Sequence, residues 1–317
     1  MNKGFILSKY GDIFRKLLIS FVILVMFSTS IVGIFSFLYF SSKFNEELNK
    51  INSNMLLNIR NKIDENILNK ADKIYFDITN NSYLYSNIIY FFNCFTRFNP
   101  EVIINAVLSL RNIVTYNDEL IHSIYLYSKK NDMILSSEGF SFFENNTYLQ
   151  ELDIAWYDLY NSSGSQNFWT NNRVIYKGKL GKEINEISVL TFIRSYPFIF
   201  PSTIDNSGIV AINIKESYIQ NILKSYTNID NCCTFIISEN GSLISCNDMS
   251  TFNSLFLNSF NPNFLVKSLK TNTINIRQIN GHKFIVNYLP FNMNNWKLIS
   301  IIPFENFYNK SYTILNS

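Results

Sequence analysis

The stretch IHSIYLYSKKNDMILSS (residues 121–137) is where the hydrophobic pattern of the chain changes from a helical period to a period of two. Two apolar runs flank the polar KKND segment, which is typical of two antiparallel strands joined by a turn. Two further runs, ISVLTFIRSYP (187–197) and SGIVAINI (207–214), have the same character. We therefore predict that these four segments form the strands of one sheet-and-helix unit.

A second group of strands lies nearer the end of the chain. CCTFIISENGSLISCN (232–247) places Asn240-Gly241 between two strand-like runs, which is the strongest short signal for a hairpin. This turn would set Phe235 opposite Cys246, with Cys233 one diagonal step away on the same face. Three more antiparallel strands are predicted at TINIRQI (273–279), HKFIVNYLPF (282–291) and WKLISIIP (296–303).

One long amphipathic helix is predicted over 41–79. Apolar side chains recur there at steps of three or four residues, without Pro or Gly. Such a helix can form a coiled-coil stalk or pack along its own domain, and we favour packing on its own domain, with a homodimer as a further option. The series is Phe44, Leu48, Ile51, Met55, Ile59, Ile63, Ile67, Ala71, Ile74 and Ile78.

Shorter helices are predicted between the strands. Asn99-Pro100 has the sequence of an N-cap followed by the first helical residue. ESYIQNILKSY (216–226) is predicted to link the two groups of strands, and another helical stretch is expected at about 250–270. We interpret residues 138–186 as irregular and polar.

An uncharged segment of 26 residues lies between Lys16 and Lys43. It is long enough for the ~30 Å hydrocarbon core of a bilayer. A cleaved signal peptide would have an apolar region of only ~7–15 residues followed by a small-residue site, whereas FLYF (37–40) is bulky. We predict a transmembrane helix over 17–40 in a single-pass protein of the cell membrane.

Charge sets the expected orientation and excludes one class of partner. The formal net charge of +3 resides entirely in the first sixteen residues, which predicts a cytoplasmic N-terminus and an extracellular segment 41–317. The remainder is neutral and lacks the basic surface that nucleic-acid binding requires. We expect the lipid bilayer, but no nucleic acid, as a partner.

No pattern typical of an enzyme is present. His122 and His282 are the only histidines, and neither has a cysteine or carboxylate at metal-ligand spacing. The sequence has no phosphate-binding loop, dinucleotide fingerprint or nucleophile elbow. We therefore expect no catalytic residue, no metal and no cofactor. Free buried thiols are favoured over a Cys233–Cys246 disulfide because diagonal neighbours are usually ~7–8 Å apart.

The order of these segments resembles a double Cache domain, the extracellular sensor of bacterial chemoreceptors, histidine kinases and membrane-bound AraC-type regulators. It is most similar to the sensor regions of AraC-type regulators or histidine kinases of Gram-positive bacteria. The resemblance covers about 41–310 and rests on the phrases SIYLYSKKNDMILSS, VLTFIRSYP followed by GIVAINIKESYIQNIL, TFIISENGSLIS and NYLPFNMNNWKLISIIPFENFY.

The resemblance implies an α+β fold with an N-terminal transmembrane helix, a long stalk helix and two PAS-like antiparallel-sheet modules in tandem. The membrane-distal module would bind a small molecule between its sheet and the irregular segment. The implied division is a cytoplasmic tail (1–16), the transmembrane helix (17–40), the long helix (41–79), the distal module with its linking helix (80–227), the proximal module (228–303) and the start of a connector to a second membrane helix (304–317).

The ligand site implied by the resemblance needs aromatic walls and a few oriented polar groups. The aromatic residues can equally belong to the core, and Arg194 can equally form a structural ion pair. The candidate ligand-binding residues are Tyr125, Tyr127, Trp156, Tyr157, Trp169, Arg194 and Asn213.

Two departures from the resemblance concern the ligand. Amino-acid-binding members carry an arginine two residues before the Trp-Tyr pair, where this chain has Ile154. They also carry an aspartate at the strand position that corresponds to Asn213. Because both charges are replaced, we expect a ligand other than a free α-amino acid.

Two functional hypotheses follow. The first is the sensor part of a membrane receptor, with an AraC-type regulator as the output implied by the resemblance. The second is a stand-alone, single-span surface module that binds a ligand without signalling. The sequence ends at SYTILNS (311–317), where a second span would be expected to begin, so both hypotheses stay open.

Overall fold

The computed structural model describes residues 3–93, 99–142, 152–177, 185–197, 207–227, 232–256, 275–292 and 294–305. Residues 1–52 and 53–317 form two compact units. Among the described residues, one helix near the N-terminus is long and apolar enough to cross a membrane. The side chains of residues 14–40 on it are all exposed, as expected for the membrane helix of a single-pass protein.

The long helix predicted over 41–79 is confirmed. Helix α1 (Lys3–Ile63) continues through a π-helical turn (Asp64–Leu68) into α2 (Asn69–Asn80). Ile59, Ile63, Ile67 and Ala71 are fully buried in one hydrophobic cluster with the strands of the larger sheet. This part of the helix therefore packs along its own domain.

The π turn explains the spacing of that apolar stripe. Ile59, Ile63, Ile67 and Ala71 follow one another at steps of four residues, and each such step would rotate the stripe by about 40° in a helix with ~3.6 residues per turn. A π turn holds one more residue than an α turn. The turn therefore compensates part of this rotation and keeps the four side chains against the sheet.

Two more helices cover the same face of the larger sheet. Helix α4 (Pro100–Tyr116) begins as predicted, because the side chain of Asn99 accepts a hydrogen bond from the Glu101 N–H at 3.1 Å. Helix α3 (Ser82–Asn93) was not predicted. Its buried Ile88, Phe91 and Phe92 belong to the same hydrophobic cluster as the long helix.

The larger sheet has seven antiparallel strands in the order β3-β2-β1-β7-β6-β4, with β5 also paired to β6. The predicted hairpin 121–137 and the predicted strands 187–197 and 207–214 are confirmed as β1, β2, β6 and β7. The strands are β1 (Ile121–Ser128), β2 (Met133–Ser136), β3 (Phe140–Phe142), β4 (Asn167–Trp169), β5 (Arg173–Lys177), β6 (Asn185–Tyr196) and β7 (Gly208–Lys215).

The segment 138–186 was wrongly interpreted as irregular. Its described parts hold β3, β4, β5 and helix α5 (Ala155–Ser163). The two shortest strands have three residues each, which is too short for a period of two to be recognised.

The central strands of the larger sheet are buried on both faces. The helical face carries Leu126, Phe192 and Ile212 in the cluster with α2, α3 and α4. The opposite face, here called the Trp156 face, is defined by Tyr125, Tyr127, Ile193, Ala211 and Trp156. A separate hydrophobic cluster forms there under α5.

The smaller sheet has five antiparallel strands in the order β10-β11-β12-β8-β9. Phe235 lies opposite Cys246 as predicted, with a register shift nearer the turn. The last three strands are confirmed. The elements are α6 (Glu216–Tyr226), β8 (Cys233–Ile237), β9 (Leu243–Cys246), α7 (Met249–Phe256), β10 (Asn275–Ile279), β11 (His282–Pro290) and β12 (Lys297–Pro303).

Aromatic residues join the two sheets. Trp169 of β4 packs edge-on against Trp296, with 5.7 Å between ring centroids, and Trp296 packs against Phe291. Leu289 and Leu298 of the smaller sheet belong to the same hydrophobic cluster as the helical face of the larger sheet. The two sheets therefore share one continuous core.

The cysteines of the smaller sheet are free thiols. Cys232, Cys233 and Cys246 are buried without a disulfide, as favoured from the sequence. Burial raises the pKa of the Cys246 thiol to about 11, so it stays protonated at neutral pH. Cys94, the predicted helical stretch after residue 256 and the predicted connector after residue 305 lie outside the described residues.

Gly208 allows a close approach between β7 and α3, and we expect Gly208→Ala to destabilise the fold. An added Cβ would meet the carbonyl oxygen of Tyr127 and lie 2.6 Å from Phe92 Cε1. Overpacking of this kind lowers the free energy of unfolding by about 1–3 kcal/mol. Thermal denaturation of the full chain in detergent, followed by tryptophan fluorescence, measures the effect.

Gly139→Ala is the matched control, because an added Cβ at Gly139 has nothing within 4 Å. An equal melting temperature for the two alanine variants would contradict this packing of Phe92 against β7.

Candidate functional site

Three buried polar residues lie in one row across the centre of the larger sheet. The strand register places Asn213 of β7 opposite Ser123 of β1 on one side and opposite Thr191 of β6 on the other. All three are 0% exposed. Paired residues share a face of a sheet, and this row continues the Trp156 face beyond Tyr125, Ala211 and Ile193.

A largely buried ion pair lies over this row. Arg173 Nη1 donates to Asp153 Oδ1 at 2.7 Å, and Nη2 donates to Oδ2 at 2.6 Å. The side chains of Arg173 and Asp153 are 15% and 6% exposed. Two parallel charge-assisted hydrogen bonds fix the relative orientation of the two groups as well as their distance.

Asn213 connects the ion pair to the sheet. Its Oδ1 accepts hydrogen bonds from Arg173 Nη2 at 3.0 Å and from Thr191 Oγ1 at 2.7 Å. Its Nδ2 donates to Asp153 Oδ2 at 3.0 Å and to Ser123 Oγ at 3.0 Å. Thr191 Oγ1 also accepts from Arg173 Nε at 3.0 Å. The amide of Asn213 thus presents its donor to the anion and its acceptor to the cation.

The chain brings Asp153 and Arg173 together from two different segments. Asp153 precedes helix α5, and its carbonyl oxygen accepts a hydrogen bond from Trp156 Nε1 at 2.9 Å. Since Trp156 is 0% exposed, its burial holds this turn against the sheet. Arg173 begins β5, where it pairs with Val189 of β6. This pairing places its side chain on the same face as Thr191.

Aromatic side chains surround the turn before α5. Tyr125 lies 6.0 Å from Trp156, and Tyr127 packs edge-on against Tyr157 at 4.9 Å between ring centroids. The hydroxyl of Tyr127 donates to Asp132 Oδ1 at 3.1 Å. Burial is the main cause that raises the pKa of Tyr125 and of Tyr127 above the ordinary value. Both phenols are therefore neutral at physiological pH.

A cavity of about 320 Å³ opens beside the ion pair. Asp153, Arg173 and Tyr125 form its charged and aromatic part. This volume is at the lower end of the ~300–1,000 Å³ range of small-molecule sites. Leu152, Ile154, Val174 and Ile175 form its apolar walls, and His122 and Glu138 add polar groups.

The structure brings together five of the seven predicted site residues. Tyr125, Tyr127, Trp156, Tyr157 and Asn213 all lie at the Trp156 face. Tyr125 also lines the cavity, and Asn213 contacts the ion pair. Tyr127, Trp156 and Tyr157 belong to the hydrophobic cluster of this face and are not among the residues that line the cavity.

Arg194 and Trp169 lie elsewhere. Arg194 is on the helical face because its neighbour Ile193 points to the opposite one. It forms an ion pair with Asp72 of α2 at 2.7 Å and lies 4.9 Å above the ring of Tyr75. Trp169 packs against Phe192, also on the helical face. Arg194 therefore forms a structural ion pair, which was the alternative to a role in ligand binding.

Asp153 and Arg173 were not predicted as site residues. Asp153 directly precedes Ile154, the position at which an arginine was sought. Arg173 begins RVIYK (173–177), a short alternating run that could have indicated a strand. Because 138–186 was interpreted as irregular, neither signal was used.

The sequence matches no protein-family model, and no curated protein matches it. Solved structures do match. The ligand-binding domain of the Campylobacter jejuni chemoreceptor Tlp3 in complex with L-norvaline has a TM-score of 0.54 at 13% identity, covering 84% of this chain and 94% of that chain. The fold of this chain is similar to that of these Cache-type domains.

Two further solved structures support this assignment of the fold. The same Tlp3 domain in complex with L-valine has a TM-score of 0.53 at 10% identity, over 84% of this chain and 97% of that one. The ligand-binding domain of the Pseudomonas aeruginosa amino acid chemoreceptor PctB in complex with L-Arg has a TM-score of 0.50 at 13% identity, over 86% and 91%. At these identities the likeness is one of fold.

The expectation that the ligand is not a free amino acid is wrong. Domains of the same Cache-type fold hold L-norvaline, L-valine and L-Arg. The inference failed because it assigned each ligand charge to one sequence position, at Ile154 and Asn213. In the folded chain an arginine and an aspartate are present at the same face, supplied by Arg173 and Asp153.

We expect Asp153→Asn and Arg173→Gln each to lower the free energy of unfolding by about 3–5 kcal/mol, because each leaves the other charge buried without its partner. The double substitution removes both charges, so it should lower the free energy of unfolding by clearly less than the sum of the two single effects. Denaturant unfolding of the full chain in detergent, followed by tryptophan fluorescence, gives the free energy of unfolding of the wild type, the two single variants and the double variant.

Asp158→Asn is the control, because Asp158 is exposed on α5 and surface substitutions usually change the free energy of unfolding by less than about 0.5 kcal/mol. Strict additivity of the two single substitutions would show that Asp153 and Arg173 are not coupled.

Proposed function

We propose that this chain is the extracellular ligand-binding part of a membrane-anchored receptor and that its ligand is a free amino acid bound at Asp153 and Arg173. The observation that carries the proposal is the largely buried Asp153–Arg173 pair on the wall of a small cavity. The Cache-type fold of the solved chemoreceptor domains supports it. No observation favours the alternative of a stand-alone surface module.

The two charges of the pair match the two charges of a zwitterion. The guanidinium of Arg173 can hold the ligand carboxylate through two parallel hydrogen bonds, the geometry it already shows with Asp153. The carboxylate of Asp153 can accept from the ligand ammonium. Tyr125 also lines this cavity.

The apolar part of the cavity suits the ligand side chain. Leu152, Ile154 and Ile175 lie beside the charged pair, so an aliphatic side chain would be removed from water there. Such burial contributes about 0.8 kcal/mol per methylene group. The site therefore combines orientation by charge with affinity from apolar contact.

Signalling requires that the ligand bind one conformation of the receptor better than another. We propose that the two sheets correspond to the distal (80–227) and proximal (228–303) modules of a double Cache sensor, with the N-terminus in the cytoplasm. An AraC-type regulator as output, and a Gram-positive source, stay predictions from the resemblance.

A screen of the twenty common L-amino acids against the full chain in detergent or nanodiscs tests the proposal. At a concentration of 100 times Kd, a ligand that binds only the folded state stabilises it by about 2.7 kcal/mol, which raises the melting temperature measurably. Isothermal titration calorimetry then gives the affinity of the strongest ligand.

Arg173→Gln should weaken that ligand at least about tenfold, which corresponds to 1.4 kcal/mol, because the carboxylate loses its charged partner. Asp158→Asn should leave the affinity unchanged. A folded Arg173→Gln variant that binds the amino acid with wild-type affinity would contradict the proposed site.

A further inference from the structure

We infer that the Asp153–Arg173 pair is a specificity filter that admits ligands carrying both a carboxylate and an ammonium and rejects simple carboxylates and simple amines. This inference rests on the proposed function and specifies how the site chooses its ligand class. It follows from the contacts that each charged group would lose if a ligand replaced only one partner.

The two groups use the same atoms for each other that they would use for a ligand. Both carboxylate oxygens of Asp153 accept from Arg173, one from each terminal nitrogen of the guanidinium. A ligand carboxylate that binds this edge of Arg173 must therefore displace Asp153. The side chains of Arg173 and Asp153 are 15% and 6% exposed, so little water can replace the lost contact once a ligand occupies the cavity.

A simple carboxylate would leave Asp153 in an unfavourable state. After displacement, the one hydrogen bond that remains to its side chain among the contacts described above comes from Asn213 Nδ2. A buried carboxylate without a cationic partner is strongly destabilising. A zwitterion avoids this, because its ammonium takes the place of the guanidinium at Asp153 while its carboxylate takes the place of Asp153 at Arg173.

A simple amine meets the mirror-image difficulty. Its ammonium would displace Arg173 from Asp153 and leave the guanidinium with Thr191 Oγ1 and Asn213 Oδ1, which are neutral acceptors. The attraction gained at one charge would be offset by the loss at the other. Rejection by leaving a buried charge unpaired is an established route to specificity.

Asn213 prevents the site from compensating by a simple rotation. The hydroxyl oxygen of Thr191 already accepts from two nitrogens of Arg173, so its proton is directed to Asn213 Oδ1. Turning the amide over would set donor against donor at Thr191 and at Arg173, so Thr191 and Arg173 together fix its orientation. Both charges must be matched by the ligand itself.

The test uses short carboxylates as probes and does not need the natural ligand. Acetate, propionate and 3-methylbutanoate are titrated as sodium salts against the full chain in nanodiscs, with sodium chloride at equal ionic strength as the reference. The wild-type chain should show no saturable binding at millimolar concentration. Asp153→Asn removes the competing anion, and we expect it to bind at least one probe at least about tenfold more tightly than wild type.

Two further variants test whether the gain in carboxylate affinity depends on Arg173. Arg173→Gln in the Asp153→Asn background should abolish the new carboxylate binding, because the guanidinium is its partner. Asp158→Asn, which removes an exposed carboxylate from α5, should behave like wild type. A folded Asp153→Asn chain that gains no carboxylate affinity would overturn the filter, as would wild-type binding of the probes at the strength of the variant.

A comparison on the wild-type chain decides the matter if Asp153→Asn does not fold. The filter requires that the amino acid with the highest affinity bind at least about tenfold more tightly than the same molecule without its amino group, and equal affinities would overturn it.

Failure of the filter is distinct from failure of the proposed function. Amino-acid binding with equal affinity for the deaminated molecule contradicts the filter alone. Arg173-dependent carboxylate binding by Asp153→Asn, without amino-acid binding by wild type, contradicts the proposed function alone.

Discussion

The side chain of Asn213 is the constraint on which the larger sheet and its site depend. Its hydrogen bonds reach β1, β6, β5 and the turn before α5 through Ser123, Thr191, Arg173 and Asp153. A fully buried amide is costly unless its hydrogen bonds are made. A slip of one residue in β7 would turn this amide to the helical face, so satisfying it specifies the strand register and the position of both charged groups.

Strand β6 connects the two faces of the larger sheet. Thr191 contacts Arg173 on the Trp156 face, while Arg194, three residues later, forms its ion pair with Asp72 of α2 on the helical face. Tyr75 of α2 also donates to the carbonyl oxygen of Ser195 at 2.7 Å. These contacts, together with the backbone of β6, form a short path from the cavity to the long helix.

Much of the fold was predictable because its signals are local. The stripe along the long helix, the cap at Asn99 and the Phe235–Cys246 register each depend on neighbouring residues. The site was less predictable, since Asp153 and Arg173 meet only through the pairing of β5 with β6. Arg194 was hard to place for another reason: β6 is buried on both faces, so its sequence does not indicate which face a polar residue takes.

The π turn at Asp64–Leu68 affects how this chain should be compared with other sequences. It acts as a one-residue insertion relative to a continuous α-helix. An alignment with a homologue that lacks the turn needs a gap of one position there. Without the gap, Ile59 and Ile63 would be matched to residues about 100° away around the helix, and a shared buried stripe would be mistaken for divergence.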